Sequence, residues 1–492
     1  MIERNDKHMK KKHGIVLWII MVCLLSLAGS AAIVAFILKA QTANVEKETV
    51  INVEYFSSRT DVEAFQSVPV ITGKNIKIGE VADYGDDYYL VGINGTTTEE
   101  YLAYLDTLIA DGFMKHSDNG VDAMDGYAMT AAFTKGETIV VVSQALKQDK
   151  TYISAAIKKN LSDYMIYSED WKQGISPDAV TKVHMMEVNA NGACFIIQLK
   201  NGNFIIHDGG KAADAPYLLD YLESLTPEGK KPVVEAWFIS HCHGDHYGAL
   251  NAISKNPQYL NRLYVNGIYY HAPSDEIVAL SYDSSPESAV FTCSRLYVMF
   301  KAEDGSQTKY YRPQFGQRYY FCDITIDVSM TPEQYTQDAL YMTGASTDMN
   351  DTSIWLMHKI EEQTLLIGGD AFHTGVRAMM NMYEPEYLST DLFAVLHHGI
   401  NVYNYFTDYT TWKTVLYPNF RVGSIWEGIR TDLSRTEDNK HLVEVAAETI
   451  SCENGTVVLG FPYKIGQAKI MEPCDWRYHA GVRQIGDFNI AE

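Results

Sequence analysis

The feature that most constrains this chain is the stretch Ser240–Gly248, which reads Ser-His-Cys-His-Gly-Asp-His-Tyr-Gly. It places three imidazoles and a carboxylate within the six positions from His241 to His246. The apolar run Val233–Ile239 precedes it and predicts a buried strand that delivers these side chains to a loop at its carboxyl end. Neutral imidazole and carboxylate are ligands of zinc, iron and manganese. The motif therefore predicts a metal centre, with His-x-His turned to one ion and the following Asp-His pair turned to a second.

Three other predicted strands also end in residues that can bind metal. The turn Asn201-Gly202-Asn203 predicts a hairpin whose second strand ends at Asp208. A later apolar run ends at Asp370, and another ends in His397-His398-Gly399. A single aspartate at a strand end is often only a turn former. Four such strand ends in one domain favour a shared site.

The N-terminal part of the chain predicts a membrane anchor. Residues 14–38 carry no charge, and this uncharged segment is long enough to cross a bilayer as a helix. Basic residues precede this run. We therefore expect a single-pass anchor, with residues 1–13 as a cytoplasmic tail and the remainder of the chain on the extracytoplasmic side of the cell membrane. A cleaved signal peptide with a cleavage site in Leu27–Ala32 is the alternative, although the apolar run continues beyond it through Ile33–Leu38. Residues 39–52 are polar and predict a linker.

The charge of the chain limits its partners. It contains 40 Lys and Arg against 62 Asp and Glu, for a formal net charge of −22. Such a surface repels phosphate backbones at long range, and no Lys/Arg cluster predicts a local basic groove. The composition therefore disfavours nucleic acid as a partner.

Residues 53–165 predict a small α+β module. Strands are expected at Ile78–Tyr84, Tyr88–Ile93, Thr138–Ser143 and Tyr152–Ile157. A helix is expected to begin after Thr97, with Glu100 completing a capping box. Gly112 is expected to end that helix. The module shows no catalytic pattern, and a second domain is expected over residues 175–475.

The strand-end motifs resemble those of the metallo-β-lactamase-fold hydrolases. The His motif, the upstream Asp208-Gly209-Gly210 and the downstream Gly369-Asp370 and His397-His398-Gly399 are the residues that match. Within that family the chain is most similar to the hydrolase domain of ComEC-type DNA-uptake proteins, through Asn350–Leu356 and the two downstream motifs. A bacterial phosphorylcholine esterase is a further relative of this type. The resemblance implies an α/β fold, a four-layer αββα sandwich. In the chain this sandwich is preceded by the predicted transmembrane helix and the small α+β module.

The resemblance also implies roles for individual residues. The first metal would be bound by His241 and His243, the second by Asp245, His246 and His398, and Asp370 would bridge both, while Asp208 and Asn350 would orient ligands without binding metal. His397 would face the cleft, although it and His398 could exchange roles. Asp245, His397 and His441 are the candidate catalytic residues; His397 or His441 could protonate a leaving group or bind a phosphoryl oxygen. A surface position at the start of a helix ranks equally for His441. The implied cofactor is Zn²⁺, one ion or two, with Mn²⁺ or Fe as alternatives.

Two departures from the family pattern leave the metal number and the substrate open. Many members supply a further histidine to the first metal between the His motif and the bridging aspartate. Here His271 is the histidine between His246 and Met357, and its surroundings do not match. In addition, Ile400 stands where ComEC-type proteins usually have serine.

These observations lead to one expected function and two alternatives. The expectation is a membrane-anchored, extracytoplasmic, metal-dependent phosphodiesterase that uses a metal-activated hydroxide on a small phosphodiester or an envelope polymer. A lactone or thioester hydrolase of the same fold is the first alternative. The second is a non-catalytic envelope protein that retains the fold for binding, with the module as its working part.

Overall fold

The computed structural model describes residues 55–84, 88–118, 123–157, 174–188, 192–273, 299–334, 349–400, 402–418, 433–452 and 455–471. The predicted cytoplasmic tail, anchor and linker lie outside these ranges and stay predictions. Within the described ranges, no helix has the length and apolar character needed to span a bilayer. Apart from 73–75, the described residues belong to one compact unit.

An antiparallel sheet forms within the first described ranges. Its spatial order is β1-β2-β6-β5-β4-β3, built from β1 Lys77–Asp83, β2 Tyr88–Asn94, β3 Met114–Asp118, β4 Ala128–Lys135, β5 Thr138–Ala145 and β6 Lys150–Ile157. The short helix α1, Glu63–Gln66, precedes it, and helix α2, Thr98–Ala110, connects β2 to β3. The predicted capping box is confirmed, because Thr97 accepts from the Glu100 amide and Glu100 accepts from the Thr97 amide. Strands β3 and β4 were not predicted.

The inner strands β2, β4, β5 and β6 are buried on both faces. One face packs against α2, with Val140, Val142 and Ile153 in that core. The alternate residues Ile139 and Val141 enter a core that is shared with the rest of the chain. Because β5 is buried on both faces, Ile139–Val142 reads as a continuous apolar run rather than an alternating one.

Two further mixed sheets follow in the chain. The second sheet runs in the order β13-β12-β10-β9-β8-β7-β21-β22, with β11 beside β10; its strands are β7 Lys182–Met185, β8 Cys194–Gln198, β9 Phe204–Asp208, β10 Val233–Ile239, β11 Tyr264–Val265, β12 Gly267–Tyr270, β13 Lys309–Tyr311, β21 Val457–Gly460 and β22 Lys469–Ile470. The third sheet runs in the order β14 to β20; its strands are β14 Arg318–Phe321, β15 Ile324–Met330, β16 Trp355–Ile360, β17 Gln363–Ile367, β18 Leu392–Ala394, β19 Thr414–Tyr417 and β20 Glu448–Ser451.

The second and third sheets pack face to face over an apolar core. That core takes side chains from both sheets, including Phe195, Ile197, Ile205, Ile326, Leu356 and Leu365. The helices that follow β9, β10, β17, β18 and β19 contribute to a different core. These helices are α3 Ala215–Ser224, α4 Gly244–Lys255, α5 Pro257–Leu260, α6 His373–Met382, α7 Pro385–Leu388, α8 Asn404–Thr407 and α9 Leu433–Val445. The predicted α/β sandwich of two packed sheets with helices is therefore confirmed.

The first sheet docks directly onto the sandwich. The Tyr88 hydroxyl donates to Oε1 of Gln314 at 2.8 Å, and the Thr130 hydroxyl donates to the Phe315 carbonyl at 3.2 Å. The ring of Tyr127 packs on Tyr383 with 5.4 Å between ring centroids. The predicted limits at 165 and 175 enclose residues that are mostly outside the described ranges, so those limits stay predictions.

One predicted strand has a different start. The sequence of Asn350–Met357 predicts one continuous strand. In the structure, Met349–Thr352 forms a 3₁₀ turn instead and β16 begins at Trp355. The amide of Ser353 closes the turn by donating to the Asn350 carbonyl at 3.1 Å. The polar residues of this turn therefore lie beside the His motif and do not pair with a neighbouring strand.

Candidate metal centre

The His motif is divided between a loop and a helix. Strand β10 ends at Ile239, the chain stays extended at His243, and α4 begins at Gly244. Asp245 and His246 therefore lie in the first turn of a helix, where a carboxylate is favoured by the helix dipole. The motif consequently presents its residues from two directions toward one point.

Two overlapping groups of ligand atoms meet at that point. His241, His246 and Asp370 form one, and Asp245, His246 and His398 form the other; within each group all ligand atoms lie within 4.8 Å of one another. All of these residues are buried except Asp245, which is partly exposed. The sequence-predicted ligands from three separate strand ends are thus brought together.

The distances within the groups suit coordination. Oδ2 of Asp370 lies 3.0 Å from Nε2 of His246 and 3.2 Å from Nε2 of His398. Oδ2 of Asp245 lies 3.7 Å from the same His398 nitrogen. Ligand atoms around a tetrahedral zinc with bonds of 2.0–2.1 Å are about 3.3 Å apart. The donor set and its spacing therefore fit one or two divalent metal ions.

Asp208 orients the His motif from the end of β9. Its Oδ1 accepts from the Ser240 amide at 2.8 Å, and its Oδ2 accepts from the Ser240 hydroxyl at 3.0 Å. Oδ2 also lies 2.8 Å from Nδ1 of His246. A carboxylate at Nδ1 holds the proton there and leaves Nε2 for a metal.

Two serines support the site that the sequence analysis did not single out. The Ser353 hydroxyl accepts from the Asp370 amide at 3.1 Å, and the Ser240 carbonyl accepts from the Ile354 amide at 3.1 Å. These bonds join the second and third sheets beside the ligands. The signal for Ser240 was its place directly before His241; Ser353 lay inside a run assigned to a strand.

Gly369 allows the two sheets to approach here. Its φ is +54°, and a Cβ on it would lie 2.7 Å from Cβ of Ser240. A side chain at this position would push the strand that bears Asp370 away from the His motif.

The His-His-Gly turn has a strained backbone. His397 and His398 have φ of 46° and 53°, which is unusual for residues other than glycine. Asn439 on α9 holds the turn, since its Nδ2 donates to the Gly399 carbonyl at 2.6 Å and its Oδ1 accepts from Tyr417. The surrounding structure thus stabilises a conformation that presents both imidazoles.

The two histidines of that turn occupy different environments. His398 is buried next to Asp370, whereas the His397 side chain is 17% exposed and its Nε2 is 3.7 Å from Oδ2 of Asp370. The ring of Phe372 packs on His397 with 5.2 Å between centroids. His397 and Phe372 therefore lie toward the open side of the site.

Burial and mutual attraction shift the pKa values of the central groups. Burial raises the pKa of Asp370, but His246, His398 and His397 outweigh it and hold that pKa well below its usual range. Burial lowers the pKa of His246, but Asp370 and Asp208 outweigh it and raise the pKa well above its usual value. The pKa of His241 is lowered well below its usual value by burial and by His246.

His243 is coupled to Asn350. Nδ1 of His243 lies 3.0 Å from Nε2 of His241 and 2.8 Å from Oδ1 of Asn350. The 3₁₀ turn at Met349–Thr352 therefore reaches into the side of the site formed by His-x-His.

Two other predicted or considered histidines lie elsewhere. His271 is buried between the Pro313 carbonyl, at 2.6 Å from Nδ1, and the carboxylate of Glu333 at Nε2. His441 lies in α9, where its Nε2 is 2.8 Å from Oδ1 of Asp408. In the described part of the chain, His441 contacts Asp408 and not the ligand cluster.

Comparison with known proteins agrees with the fold. Residues 190–319, roughly a quarter of the chain, match the family model of the metallo-beta-lactamase superfamily. This stretch contains Asp208 and the His motif, and it ends before Asp370 and His398. The match supports the metallo-β-lactamase fold for the sandwich and the metal-dependent hydrolase class that is general in that superfamily. A search of curated proteins gave no match.

Solved structures are similar to part of the chain. The metallo-beta-lactamase fold protein YhfI from Bacillus subtilis is 13% identical, with a TM-score of 0.31, over 56% of this chain and 96% of that one. Zn²⁺-bound PqqB from Methylobacterium extorquens is 10% identical, with a TM-score of 0.28, over 44% and 71%. A Cronobacter sakazakii metallo-beta-lactamase with a HARLDQ motif is 15% identical, with a TM-score of 0.26, over 43% and 76%. None of these likenesses identifies a substrate.

Proposed function

We propose that this chain is a metal-dependent phosphodiesterase. The observation that carries the proposal is the pair of overlapping ligand groups, in which His246 belongs to both and the carboxylates of Asp245 and Asp370 face the same imidazoles. Buried carboxylates and imidazoles are costly unless they are paired or coordinate a metal, and this site gathers them from three strand ends around one point.

The residues would divide the work by position. His241 and His243 would hold one ion, and Asp245, His246 and His398 would hold a second. Asp370, whose carboxylate lies near His241, His246 and His398, would serve both. When bound, such ions supply a hydroxide near neutral pH and stabilise negative charge on the group under attack. Asp208 keeps a proton on Nδ1 of His246, so its Nε2 faces the ions.

His397 is the proposed proton donor to the leaving group. It lies beside Asp370 yet reaches the open side of the site, and Phe372 limits the movement of its ring. An imidazole in this position can give a proton to a departing alkoxide or donate a hydrogen bond to a phosphoryl oxygen. His441 does not share this position.

The nature of the substrate is inferred from charge and from the predicted anchor. The strong negative charge of the chain favours a small phosphodiester or an envelope polymer over nucleic acid. If residues 14–38 cross the cell membrane, the catalytic sandwich faces the extracytoplasmic side and meets substrates of the envelope.

The test combines metal content with turnover of two substrates. The protein is purified in its entirety in detergent, its metal content is measured by elemental mass spectrometry, and hydrolysis of bis-p-nitrophenyl phosphate and of a chromogenic lactone is followed. The wild type should contain one or two ions and hydrolyse the phosphodiester, and H241A should lose most of that turnover. H116A is the matched control, because His116 bonds to Thr134 in the first sheet.

The other outcomes select among the alternatives. Lactone hydrolysis without phosphodiester hydrolysis would replace the proposal by a lactonase or thioesterase. A protein with no metal and no turnover would refute the enzyme and favour an envelope-binding role.

A further inference from the structure

We propose that the side-chain oxygen of Asn350 is a ligand of the first metal ion. This inference rests on the proposed metal centre and assigns Asn350 a closer role than the orienting one expected from the sequence. It also gives the first ion a further ligand, although the sequence lacks the additional histidine that many superfamily members supply to that ion.

Three potential ligand atoms converge beside Asn350. Nε2 of His241 lies 3.0 Å from Nδ1 of His243, which lies 2.8 Å from Oδ1 of Asn350. The other ring nitrogen of His241 is 3.0 Å from the Ser240 hydroxyl, so Nε2 is the nitrogen that faces the group. The atoms therefore come from the loop after β10 and from the turn before β16.

The separations are those of atoms that share an ion. Around a tetrahedral zinc, neighbouring ligand atoms are about 3.3 Å apart when the bonds are 2.0–2.1 Å. The two contacts of the His243 nitrogen are slightly shorter, so a small outward movement of each side chain completes the arrangement. With Asp370 the group offers two imidazoles, an amide oxygen and a carboxylate.

Asn350 is fixed where a ligand has to be. Asn350 is only 5% exposed. Its carbonyl accepts from the Ser353 amide, and the Ser353 hydroxyl in turn accepts from the Asp370 amide at 3.1 Å. The next residue, Ile354, donates to the Ser240 carbonyl. The turn is thereby attached to both the strand that leads to the His motif and the strand end that bears Asp370.

The chemistry of an amide predicts a weaker first site. A neutral amide oxygen is a harder and poorer ligand for zinc than imidazole, and it suits manganese and other oxygen-preferring ions comparatively well. The centre should therefore bind one ion tightly through Asp245, His246 and His398 and another less tightly through His241, His243 and Asn350.

The competing arrangement is a hydrogen bond without coordination. In that case Nδ1 of His243 would carry a proton, donate it to Asn350, and bind no metal through that atom. The two arrangements differ in their response to a histidine at position 350. If residue 350 binds the metal, an imidazole can replace the amide as ligand. If residue 350 only accepts a hydrogen bond from His243, the larger imidazole ring disturbs that hydrogen bond and adds no metal ligand.

The experiment measures zinc occupancy against a competing chelator for wild type, N350L and N350H. Stoichiometry is read by elemental mass spectrometry, and the Co²⁺ absorption spectrum reports the ligand set independently of turnover. N350L should keep the tighter ion and bind the other at least tenfold more weakly. N350H should bind both ions, with the weaker one tightened at least tenfold relative to wild type, and should alter the Co²⁺ bands. N261A, an exposed asparagine that bonds to the Pro257 carbonyl, is the control and should match wild type.

The failures are distinguishable. If wild type binds no metal, the proposed function fails before Asn350 is tested. If wild type binds two ions and N350L binds both with unchanged affinity, or N350H binds the weaker ion no better than N350L, the ligand role of Asn350 is refuted while the metal centre stands.

Discussion

Oδ2 of Asp208, the last residue of β9, lies 2.8 Å from Nδ1 of His246 in the first turn of the helix that follows β10. The same carboxylate also accepts two hydrogen bonds from Ser240. One side chain thus sets the tautomer of a ligand and the path of the loop that carries the others. A defect at Asp208 should affect the metal centre without removing any ligand.

The first prediction concerns Asp208 itself. D208N keeps the size of the side chain but removes its charge and offers an amide in place of one acceptor oxygen. We expect metal affinity to fall about 10- to 100-fold, because partners that orient metal-binding histidines have effects of that size. The measurement is zinc occupancy during titration with a chelator. D220N, at an exposed carboxylate on α3, should leave affinity unchanged; equal affinities for D208N and D220N would contradict the role of Asp208.

The second prediction concerns Gly369. G369A introduces a methyl group 2.7 Å from Cβ of Ser240 on a backbone with φ of +54°. We expect the free energy of unfolding to fall by about 2–4 kcal/mol from strain and overpacking together. The measurement is urea unfolding. G229A is the matched control, since Gly229 has φ of +77° but no atom within 4 Å of the place that a Cβ would occupy; it should show the smaller loss due to backbone strain alone, and an equal loss in both would contradict the packing argument.

The third prediction concerns pH and a histidine pair between the sheets. Nε2 of His207 and Nε2 of His358 are 2.8 Å apart. Burial lowers the pKa of His358 to about 4, and burial together with His358 lowers the pKa of His207 well below its usual value. Both imidazoles are therefore neutral in the folded protein at pH 5–7.

The sign follows from proton binding. Below about pH 6.5 the unfolded histidines take up protons that the folded ones do not, so stability falls as pH decreases from 6.5 toward 4, by about 1.4 kcal/mol per pH unit for each histidine. The double variant H207L/H358L should lessen this fall by about twice that amount. Unfolding free energies from urea titrations at pH 7.5, 6.5 and 5.5 provide the test, and an unchanged slope would show that the pair is not a source of acid sensitivity.

The fourth prediction concerns the junction between the first sheet and the sandwich. Glu333 is buried and accepts hydrogen bonds from Tyr84, which follows β1, and from the Thr331 hydroxyl at 2.7 Å, and it faces Nε2 of His271. Burial raises the pKa of Glu333, but His271 and the hydrogen bonds outweigh it and lower the pKa to about 2. This stabilisation is present above the unfolded pKa of about 4.3 and is lost as pH falls toward 2.

Removing this carboxylate should therefore destabilise the protein strongly. We expect E333A to lower the free energy of unfolding by about 3–5 kcal/mol at pH 7, because His271 and Tyr84 stay buried without their partner. E384A is the matched control. Glu384 pairs at 2.7 Å with Lys147, which lies between β5 and β6 of the first sheet, and both side chains are exposed. Loss of that pair should cost less than about 1 kcal/mol. Similar losses for the two variants in urea unfolding would contradict the assignment of the junction's strength to Glu333.

Local features of the chain were sufficient for part of this structure. The strand before the His motif, the hairpin around Asn201-Gly202-Asn203 and the capping box at Thr97 and Glu100 were all predicted correctly. Each depends on residues close in sequence: apolar periodicity, turn residues that accept positive φ, and a side chain that caps its own helix. The density of metal-ligand side chains in the His motif is equally a local property.

Other features depended on how distant strands pack. The sequence by itself determined which side chains can bind metal and that they stand at strand ends. Only the tertiary structure decided that Asp370 meets His246, that Asn350 reaches His243, and that His441 points instead to Asp408. The physical reason is that sheet order and face-to-face packing come from apolar surface buried between residues far apart in the chain, and this burial is not encoded in any short pattern.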